Sequence, residues 1–236
     1  MKQINSISFS GAGWNCIFHA GVVLRLIREG CFNSQLKSHG ASAGGLISLA
    51  LLNHMDGVLN MADATAISAK HLDAVTYFNP LPLQTNLGTL AETFVDEWLA
   101  FDKDTYARVN GRIFISITDF PAKGKIVSQF ASNNDLKEAL MTSCYVPYVL
   151  AKPKNMFGGI LSYDGAFSND HWKFASDTAT VGIPKFGVNK SGFRFDIQPS
   201  FHLHTLSMFM PWPGHTKAGL FGHGYQTAED WLKSQI

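Results

Sequence analysis

Between residues 4 and 53 the chain repeats one pattern twice: a short apolar strand, a glycine-containing turn and a helix. Ile4 to Phe9 is rich in β-branched and aromatic residues, as buried strands are, and it ends in Ser10-Gly11-Ala12-Gly13. A second strand is predicted over Gln35 to His39, and it leads into the turn from Gly40 to Gly45. Strands that alternate with helices in this way predict a parallel sheet with crossover helices on both faces.

Apolar residues at helical spacing follow both turns. After the first turn they continue as far as Ile27, and Gly30 supplies a C-terminal cap of the kind that ends many helices. After the second turn, a helix is predicted from about Ala43 to Asn53. Further along, the chain predicts helices over 60–73, 87–100 and 135–142, and strands over 112–118, 125–130 and 160–163.

The order of these elements indicates the fold class. We expect one domain over residues 1–236, with an α/β fold of three α/β/α layers around a central, mainly parallel sheet. Beyond about residue 180, Gly, Pro, Phe and His are interspersed without a clear period, so the segment 180–236 carries no structural prediction.

The charge content disfavours some classes of partner. Net charge is +1 and the basic residues are scattered, so electrostatic capture of nucleic acid is not expected. Charged residues make up only 16% of the chain, against about 25% in an ordinary soluble domain. A weakly charged surface suits an enzyme that works at a lipid interface, although a large neutral core would give the same composition.

Cysteine usage and the lack of targeting signals favour a cytoplasmic protein. Cys16, Cys31 and Cys144 form an odd set without CxxC spacing, which indicates reduced thiols and neither a disulfide framework nor a zinc site. No signal-peptide core and no stretch of 18 uncharged apolar residues is present, so we expect any membrane contact to be peripheral.

Gly40-Ala41-Ser42-Ala43-Gly44 matches G-x-S-x-G, the nucleophile elbow. The chain turns sharply from strand to helix in such a motif, so Gly40 and Gly44 must lack side chains that would collide with neighbouring backbone. Ser42 would then stand at the first turn of a helix, where the helix dipole favours negative charge. The alternative is a structural turn in which Ser42 only caps the helix.

Two other segments carry candidate chemistry. Consecutive small residues at Gly11, Ala12 and Gly13 can point their backbone N–H groups the same way, which would make an oxyanion hole in a hydrolase. A nucleotide-binding loop is disfavoured because Cys16 stands where G-x-G-x-x-G needs glycine. Asp164, which follows a strand and precedes Gly165, can project a carboxylate into a cleft, although such an aspartate is more often a turn residue.

In this order the three segments resemble the patatin-like phospholipases. Ser8-Phe9-Ser10-Gly11-Ala12-Gly13 through Phe18-His19-Ala20-Gly21-Val22 is similar to the opening of that family. Ser143-Cys144-Tyr145-Val146-Pro147 resembles a segment that precedes the D-G motif in the adiponutrin-like branch, and Asp164-Gly165-Ala166 resembles that motif itself. The resemblance covers about residues 4–172.

The resemblance implies a serine acyl hydrolase without a cofactor. Ser42 would be the nucleophile and Asp164 its base in a Ser–Asp dyad, with the oxyanion held by Gly11, Ala12 and Gly13. Ala12 stands where most relatives carry glycine, and a negative φ would accommodate it. The implied substrate is a lipid ester, phospholipid or neutral glyceride, met at a membrane or lipid-droplet surface.

Several alternatives stay open at this point. A lipid transacylase or a general esterase would use the same dyad, and a non-catalytic lipid-binding protein could keep the fold. A Ser–Asp–His triad would draw on one of the histidines that follow Asp164, and His202-x-His204 has the spacing of a metal site without the ligands that would complete one. Met208 to Pro213 is either an interfacial loop or a core segment. The histidines in question are His171, His202, His204, His215 and His223.

Overall fold

A computed structural model gives the structure of the chain. It describes residues 3–76, 83–146, 156–168, 173–184, 194–201 and 214–235, together with residues 203 and 208.

Strands and helices alternate over residues 4–55, and three further helices precede the next strand. The strands are β1 (Ile4–Phe9), β2 (Phe32–Ala41), β3 (Ile113–Asp119), β4 (Lys123–Val127), β5 (Met156–Phe157), β6 (Ile160–Asp164) and β7 (Ala179–Val181). The helices are α1 (Cys16–Arg28), α2 (Ala43–Met55), α3 (Met61–Thr76), α4 (Leu83–Leu99), α5 (Thr105–Val109), α6 (Asn133–Ser143) and α7 (Gly214–Ser234).

The central sheet is mainly parallel. β7, β1, β2 and β3 are parallel neighbours in that order, whereas β4, β5 and β6 join as antiparallel strands. The predicted α/β fold with a central, mainly parallel sheet is therefore confirmed. Its core is built from fully buried strand residues such as Ile7, Phe9 and Ile115, with α2 buried along nearly its whole length.

The position of β6 determines what can meet at one end of the sheet. β4 pairs with residues 115–119 of β3, so it occupies one edge of that strand. β2 and β6 both lie on the other edge, where β2 ends with Ala41 opposite Ser116 and β6 ends with Asp164 opposite Ile117. The residue before Ser42 and the predicted base therefore occupy consecutive positions along the same edge.

Local capping explains where two predicted elements end. Gly30 has φ +64°, and the N–H of Cys31 donates to the carbonyl of Leu26 over 3.0 Å, which closes α1 as predicted. The predicted strand over 125–130 instead ends at Val127. Asn110 explains the difference, because its side chain both donates to and accepts from the backbone of Phe130 and so replaces the sheet's hydrogen bonds.

The last helix, α7, is one that the sequence did not predict. It packs against α1 at two glycines: a Cβ on Gly21 would lie 2.1 Å from the carbonyl oxygen of Phe221, and one on Gly224 would lie 2.1 Å from that of Phe18. The two backbones can approach this closely only because neither glycine has a side chain. The segment without a predicted structure thus contributes a helix packed on the first βα unit.

Candidate active site

Ser42 lies in the sharp turn between β2 and α2. Its φ of 53° and ψ of −131° make it the only non-glycine residue with positive φ in the described part of the chain. An L-residue adopts such a backbone only when its surroundings enforce it, at a cost of about 1–3 kcal/mol, and such residues concentrate at functional sites.

The two glycines of the motif leave no room for side chains. A Cβ on Gly40 would lie 2.2 Å from backbone atoms of Gly44 and Gly45, and a Cβ on Gly44 would lie 2.5 Å from the carbonyl oxygen of Phe9. The second contact also shows that the elbow abuts the end of β1, where the glycine-rich loop begins.

In the loop from Gly11 to Gly13, position 13 requires glycine, whereas Ala12 has an unstrained backbone. Gly13 has φ +51°, and a Cβ there would lie 2.1 Å from the carbonyl oxygen of Met208. Ala12 has φ −142°, so its side chain introduces no backbone strain. Within the described residues, the N–H groups of Ala12 and Gly13 donate to no backbone acceptor.

Ser10 fixes the start of this loop. Its N–H donates to the carbonyl of Val181 over 3.0 Å, and its Oγ accepts from the N–H of Ile183 over 3.1 Å. These bonds tie the loop to β7 and the residues that follow it. A strand near the C-terminal end of the sequence thus supports one of the first turns of the chain.

Asp164 is buried at the end of β6 and is held through its backbone and its side chain. Its carbonyl accepts from Thr118 Oγ1 over 2.8 Å, and its Oδ1 accepts from the N–H of Ala166 over 2.8 Å. Gly165 must follow it, because a Cβ there would lie 2.0 Å from the carbonyl oxygen of Ser116.

One short segment contacts both Ser42 and Asp164. The N–H of Ser42 donates to Ser143 Oγ over 2.8 Å, and the N–H of Asp164 donates to the carbonyl of Tyr145 over 2.7 Å. From the sequence this segment shows a family resemblance but has no predicted role. The pattern Ser143-Cys144-Tyr145 was the available signal, and the partners of these residues become evident only in the folded chain.

Cys144 lies between Ser143 and Tyr145, and the pKa of its thiol reflects the electrostatics of the site. Burial raises the pKa of its thiol well above the usual value, and the negative charge of Asp164 adds to that shift, while a hydrogen bond from the Ser42 side chain opposes it. Burial likewise raises the pKa of the Cys16 thiol to about 12. Ser42, Cys144 and Asp164 therefore share one weakly solvated environment.

A buried histidine links the strand that precedes Ser42 to the neighbouring strands by hydrogen bonds. His39 Nδ1 and Ser8 Oγ are hydrogen-bonded over 2.8 Å, and His39 Nε2 and Ser116 Oγ over 2.7 Å. Because Ser8, His39 and Ser116 come from β1, β2 and β3, this chain of bonds links the three strands just before Ser42. The sequence alone predicts no role for His39 or its partners.

Of the five histidines considered for a triad, the structure describes only the side chain of His223. It lies in α7, packs against Phe18 and Phe201, and its Nε2 accepts from the N–H of Ser200 over 3.3 Å. His171, His202 and His204 lie outside the described residues, as do 209–213 of the candidate interfacial loop, and the side chain of His215 is likewise not described. Among the described residues, no three His, Cys, Asp or Glu side chains are placed to hold a metal.

Comparison with protein families gives a clear match: residues 7–171 fit the model of the patatin-like phospholipases. The chain belongs to the patatin-like phospholipase family. The resemblance inferred from the glycine-rich loop, the elbow and the aspartate is thereby confirmed.

Curated relatives within this family include lipid enzymes. The human omega-hydroxyceramide transacylase is 28% identical over 183 residues, which cover 75% of this chain and 33% of that protein. The mouse patatin-like phospholipase domain-containing protein 2 is 29% identical over 173 residues, 70% of this chain and 34% of that protein. The chain therefore matches only about a third of the length of these relatives.

Solved structures of two bacterial proteins share the fold. VipD from Legionella pneumophila aligns with a TM-score of 0.57 at 12% identity, covering 98% of this chain and 67% of that one. ExoU of Pseudomonas aeruginosa, solved as the ExoU–SpcU complex, aligns with a TM-score of 0.53 at 12% identity, covering 100% of this chain and 52% of that one.

None of the helices in the described residues has the length and apolar character needed to cross a bilayer.

Proposed function

We propose that this patatin-like chain is a serine acyl hydrolase that cleaves carboxylic esters of lipids through a dyad of Ser42 and Asp164. The observation that carries the proposal is that the strands leading to Ser42 and Asp164 lie along the same edge of β3. β2 leads into Ser42 at this edge, and β6 brings Asp164 to the next position along it. The strained backbone of Ser42 and the adjacent glycine-rich loop support the same function.

The reaction proceeds through an acyl-enzyme. The Asp164 carboxylate takes the proton of Ser42 Oγ as that oxygen attacks the ester carbonyl. The N–H groups of Gly11, Ala12 and Gly13 stabilise the negative oxygen that forms, and the helix dipole at the start of α2 adds to this stabilisation. The C–O bond to the alcohol then breaks, and the alcohol leaves with the proton from Asp164.

Water completes the cycle by the same route. Asp164 accepts a proton from a water molecule, the hydroxyl oxygen attacks the acyl carbon, and the bond to Ser42 Oγ breaks. Ser42 recovers its proton and the fatty acid is released. Every step uses side chains and backbone groups of the protein itself, so the proposed mechanism needs no cofactor.

A transacylase is the second candidate, and one similarity favours it. A relative of this chain is named as an omega-hydroxyceramide transacylase. The acyl-enzyme would be the same, and the hydroxyl of a second lipid would replace water as the acceptor. A general esterase would differ only in its substrate. In each case a lipid or ester is the partner, and the expected setting is the cytoplasmic side of a membrane or a lipid-droplet surface.

Labelling with a fluorophosphonate probe tests the proposed dyad. The probe reacts covalently with a serine whose hydroxyl is activated by a base. We expect the purified wild-type protein to be labelled and both Ser42→Ala and Asp164→Asn to lose labelling while remaining folded.

The control is Ser132→Ala, which removes a hydroxyl at the far end of α6 from the site and should be labelled like wild type. A folded wild-type protein that resists the probe would favour the non-catalytic lipid-binding alternative. Labelling that survives in Asp164→Asn would exclude Asp164 as the base. Adding a long-chain alcohol to the substrate assay then separates hydrolase from transacylase by whether free acid or a new ester accumulates.

A further inference from the structure

Two hairpin turns near the end of β6 expose large apolar side chains. Phe120, in the turn between β3 and β4, is 65% exposed. Ile160 and Leu161, at the turn between β5 and β6, are 48% and 37% exposed, and Phe167, just after Asp164, is 63% exposed. Large apolar residues usually leave water on folding, so a group of exposed ones indicates an interaction surface.

Contacts within and between the two hairpins hold these residues close together. The N–H of Phe120 donates to the carbonyl of Leu161 over 2.8 Å, which joins the two hairpins. Tyr163 connects the remaining members, because its hydroxyl donates to the carbonyl of Pro121 over 2.6 Å and its ring lies 5.5 Å from that of Phe167. We call the set Phe120, Pro121, Ile160, Leu161, Tyr163 and Phe167 the hairpin patch.

The hairpin patch lies at the same end of the sheet as Ser42. β3 continues for three residues past the position where β2 ends, and β6 pairs with exactly those residues. Because β6 is antiparallel to β3, Asp164 is its end nearest to Ser42 and Ile160 its far end. The two are four residue-to-residue steps apart along the strand, or about 13 Å, so the patch projects beyond the site.

The exposed charge on the segments that form the hairpin patch is positive. Within residues 119–127 and 156–168 the only acidic residues are Asp119 and Asp164, and both are buried. Asp119 is further neutralised by Lys125 over 3.2 Å and accepts a hydrogen bond from Ser162 over 2.6 Å. Lys123 is exposed beside Phe120, so the surface of these segments combines apolar side chains with positive charge.

We propose that the hairpin patch docks this end of the protein onto the surface of an anionic phospholipid membrane. Within residues 119–127 and 156–168, aromatic and aliphatic side chains are flanked by lysine and both acids are buried, which matches an interface of acyl chains beneath negative headgroups. A protein partner fits less well, because the six side chains that the described residues contribute are few beside the roughly 20–30 residues per side of a stable protein interface. The inference rests on the proposed function, since docking here would present lipid esters to Ser42.

Vesicle binding tests the proposal without depending on catalysis. We would measure co-sedimentation of the Ser42→Ala protein with vesicles of phosphatidylcholine, with and without phosphatidylserine. The double substitution Phe120→Glu and Ile160→Glu places negative charge at both hairpin tips. We expect it to weaken binding to the phosphatidylserine vesicles at least tenfold.

Phe101→Glu is the matched control. Phe101 is 56% exposed, but it lies next to Asp102, whose carbonyl accepts from the Asn133 side chain at the start of α6. Ser143, at the other end of α6, contacts Ser42, and a helix of 11 residues spans about 16 Å. Charge at Phe101 should therefore leave vesicle binding unchanged.

A second measurement does not rely on disruptive charges. Phe120→Trp and Phe101→Trp each add one tryptophan at an exposed site, and only the former should shift its emission to shorter wavelength when phosphatidylserine vesicles are added. Equal binding of the charged variant and its control, an absence of vesicle binding by the parent, or a dimer that the charged variant dissociates would each overturn the proposal. Vesicle binding without probe labelling would instead leave the docking surface standing and refute the proposed catalysis.

Discussion

Ser143 holds the backbone of Ser42 directly: its Oγ accepts the N–H of Ser42 over 2.8 Å, and both residues are buried. Two residues later, the carbonyl of Tyr145 accepts the N–H of Asp164 over 2.7 Å. The end of α6 therefore fixes the proposed nucleophile and its proposed base relative to each other. The proposed dyad would depend on this segment as well as on the two strands that lead to its residues.

Ser143→Ala should lower both the reactivity of Ser42 and the stability of the protein. The substitution leaves a buried N–H without its acceptor, which costs about 1–3 kcal/mol, and it releases the strained turn from its restraint. We expect the rate of fluorophosphonate labelling to fall about tenfold or more, as a loss of about 1.4 kcal/mol in transition-state stabilisation would give.

Ser132→Ala separates the two effects. Ser132 caps the start of the same helix, where its Oγ accepts from the N–H of Asp135 over 3.1 Å, so its loss should cost about 1 kcal/mol of stability. Labelling should nevertheless stay at the wild-type rate. Equal rates for the two alanine variants would show that Ser143 contributes only to folding.

Gly44→Ala should destabilise the elbow, whereas Gly45→Ala should be tolerated. The new Cβ at residue 44 would lie 2.5 Å from the carbonyl oxygen of Phe9, and backbone can yield only at a cost of about 1–3 kcal/mol. At residue 45 it would meet a methyl group of Leu140 at 3.3 Å, which a side chain can relieve by a small shift. Urea unfolding of both variants measures the difference, and similar midpoints would contradict the packing described for the motif.

Gly224→Ala tests whether α7 is integral to the fold. Its Cβ would lie 2.1 Å from the carbonyl of Phe18, so α7 must move away from α1 and we expect a loss of about 1–3 kcal/mol. Gly222→Ala, in the same helix, meets nothing within 4 Å and should gain up to about 1 kcal/mol from better helix propensity. Thermal unfolding should therefore move in opposite directions in the two variants. Parallel shifts would argue against the close packing of α1 and α7.

Cys16 should make the protein less stable as the pH rises above about 9. Burial raises the pKa of its thiol in the folded state from 9.0 to about 12, so between these values the unfolded chain loses the proton while the folded one keeps it. The stability present below pH 9 is lost through this window, by up to about 1.4 kcal/mol per pH unit. Cys16→Ser removes the ionisable group, and its urea midpoint should fall less steeply with pH than that of wild type. Parallel pH profiles would contradict the raised pKa.

The elements predicted from the sequence are those set by local pattern. The two βα units, the cap at Gly30 and the turn around Ser42 all follow from residues within a few positions of one another, and the structure contains each of them. The aspartate motif could also be located from the neighbouring residues Asp164, Gly165 and Ala166, although the reason for its glycine, crowding against Ser116, lies on another strand.

What the sequence did not reveal depends on distant contacts. α7 contains Gly219, Gly222 and Gly224, which weaken a helical pattern, and the reason for Gly224 is found on another helix. β7 has only three residues, too few for a pattern of its own. The role of Ser143 and the bonds of His39 require knowing which strands are neighbours, and pairing of strands is not written in local spacing.

The insertion of β6 along β3 has a consequence for how the chain folds. Residues 42 and 164 are 122 positions apart, and the strands that lead to them pair with neighbouring parts of β3. Contacts of such long sequence separation form slowly because the loop they close loses much entropy. During synthesis the elbow can be complete long before its partner strand leaves the ribosome. Reactivity of Ser42 would therefore appear late in folding, as a signal that the two halves of the sheet have joined.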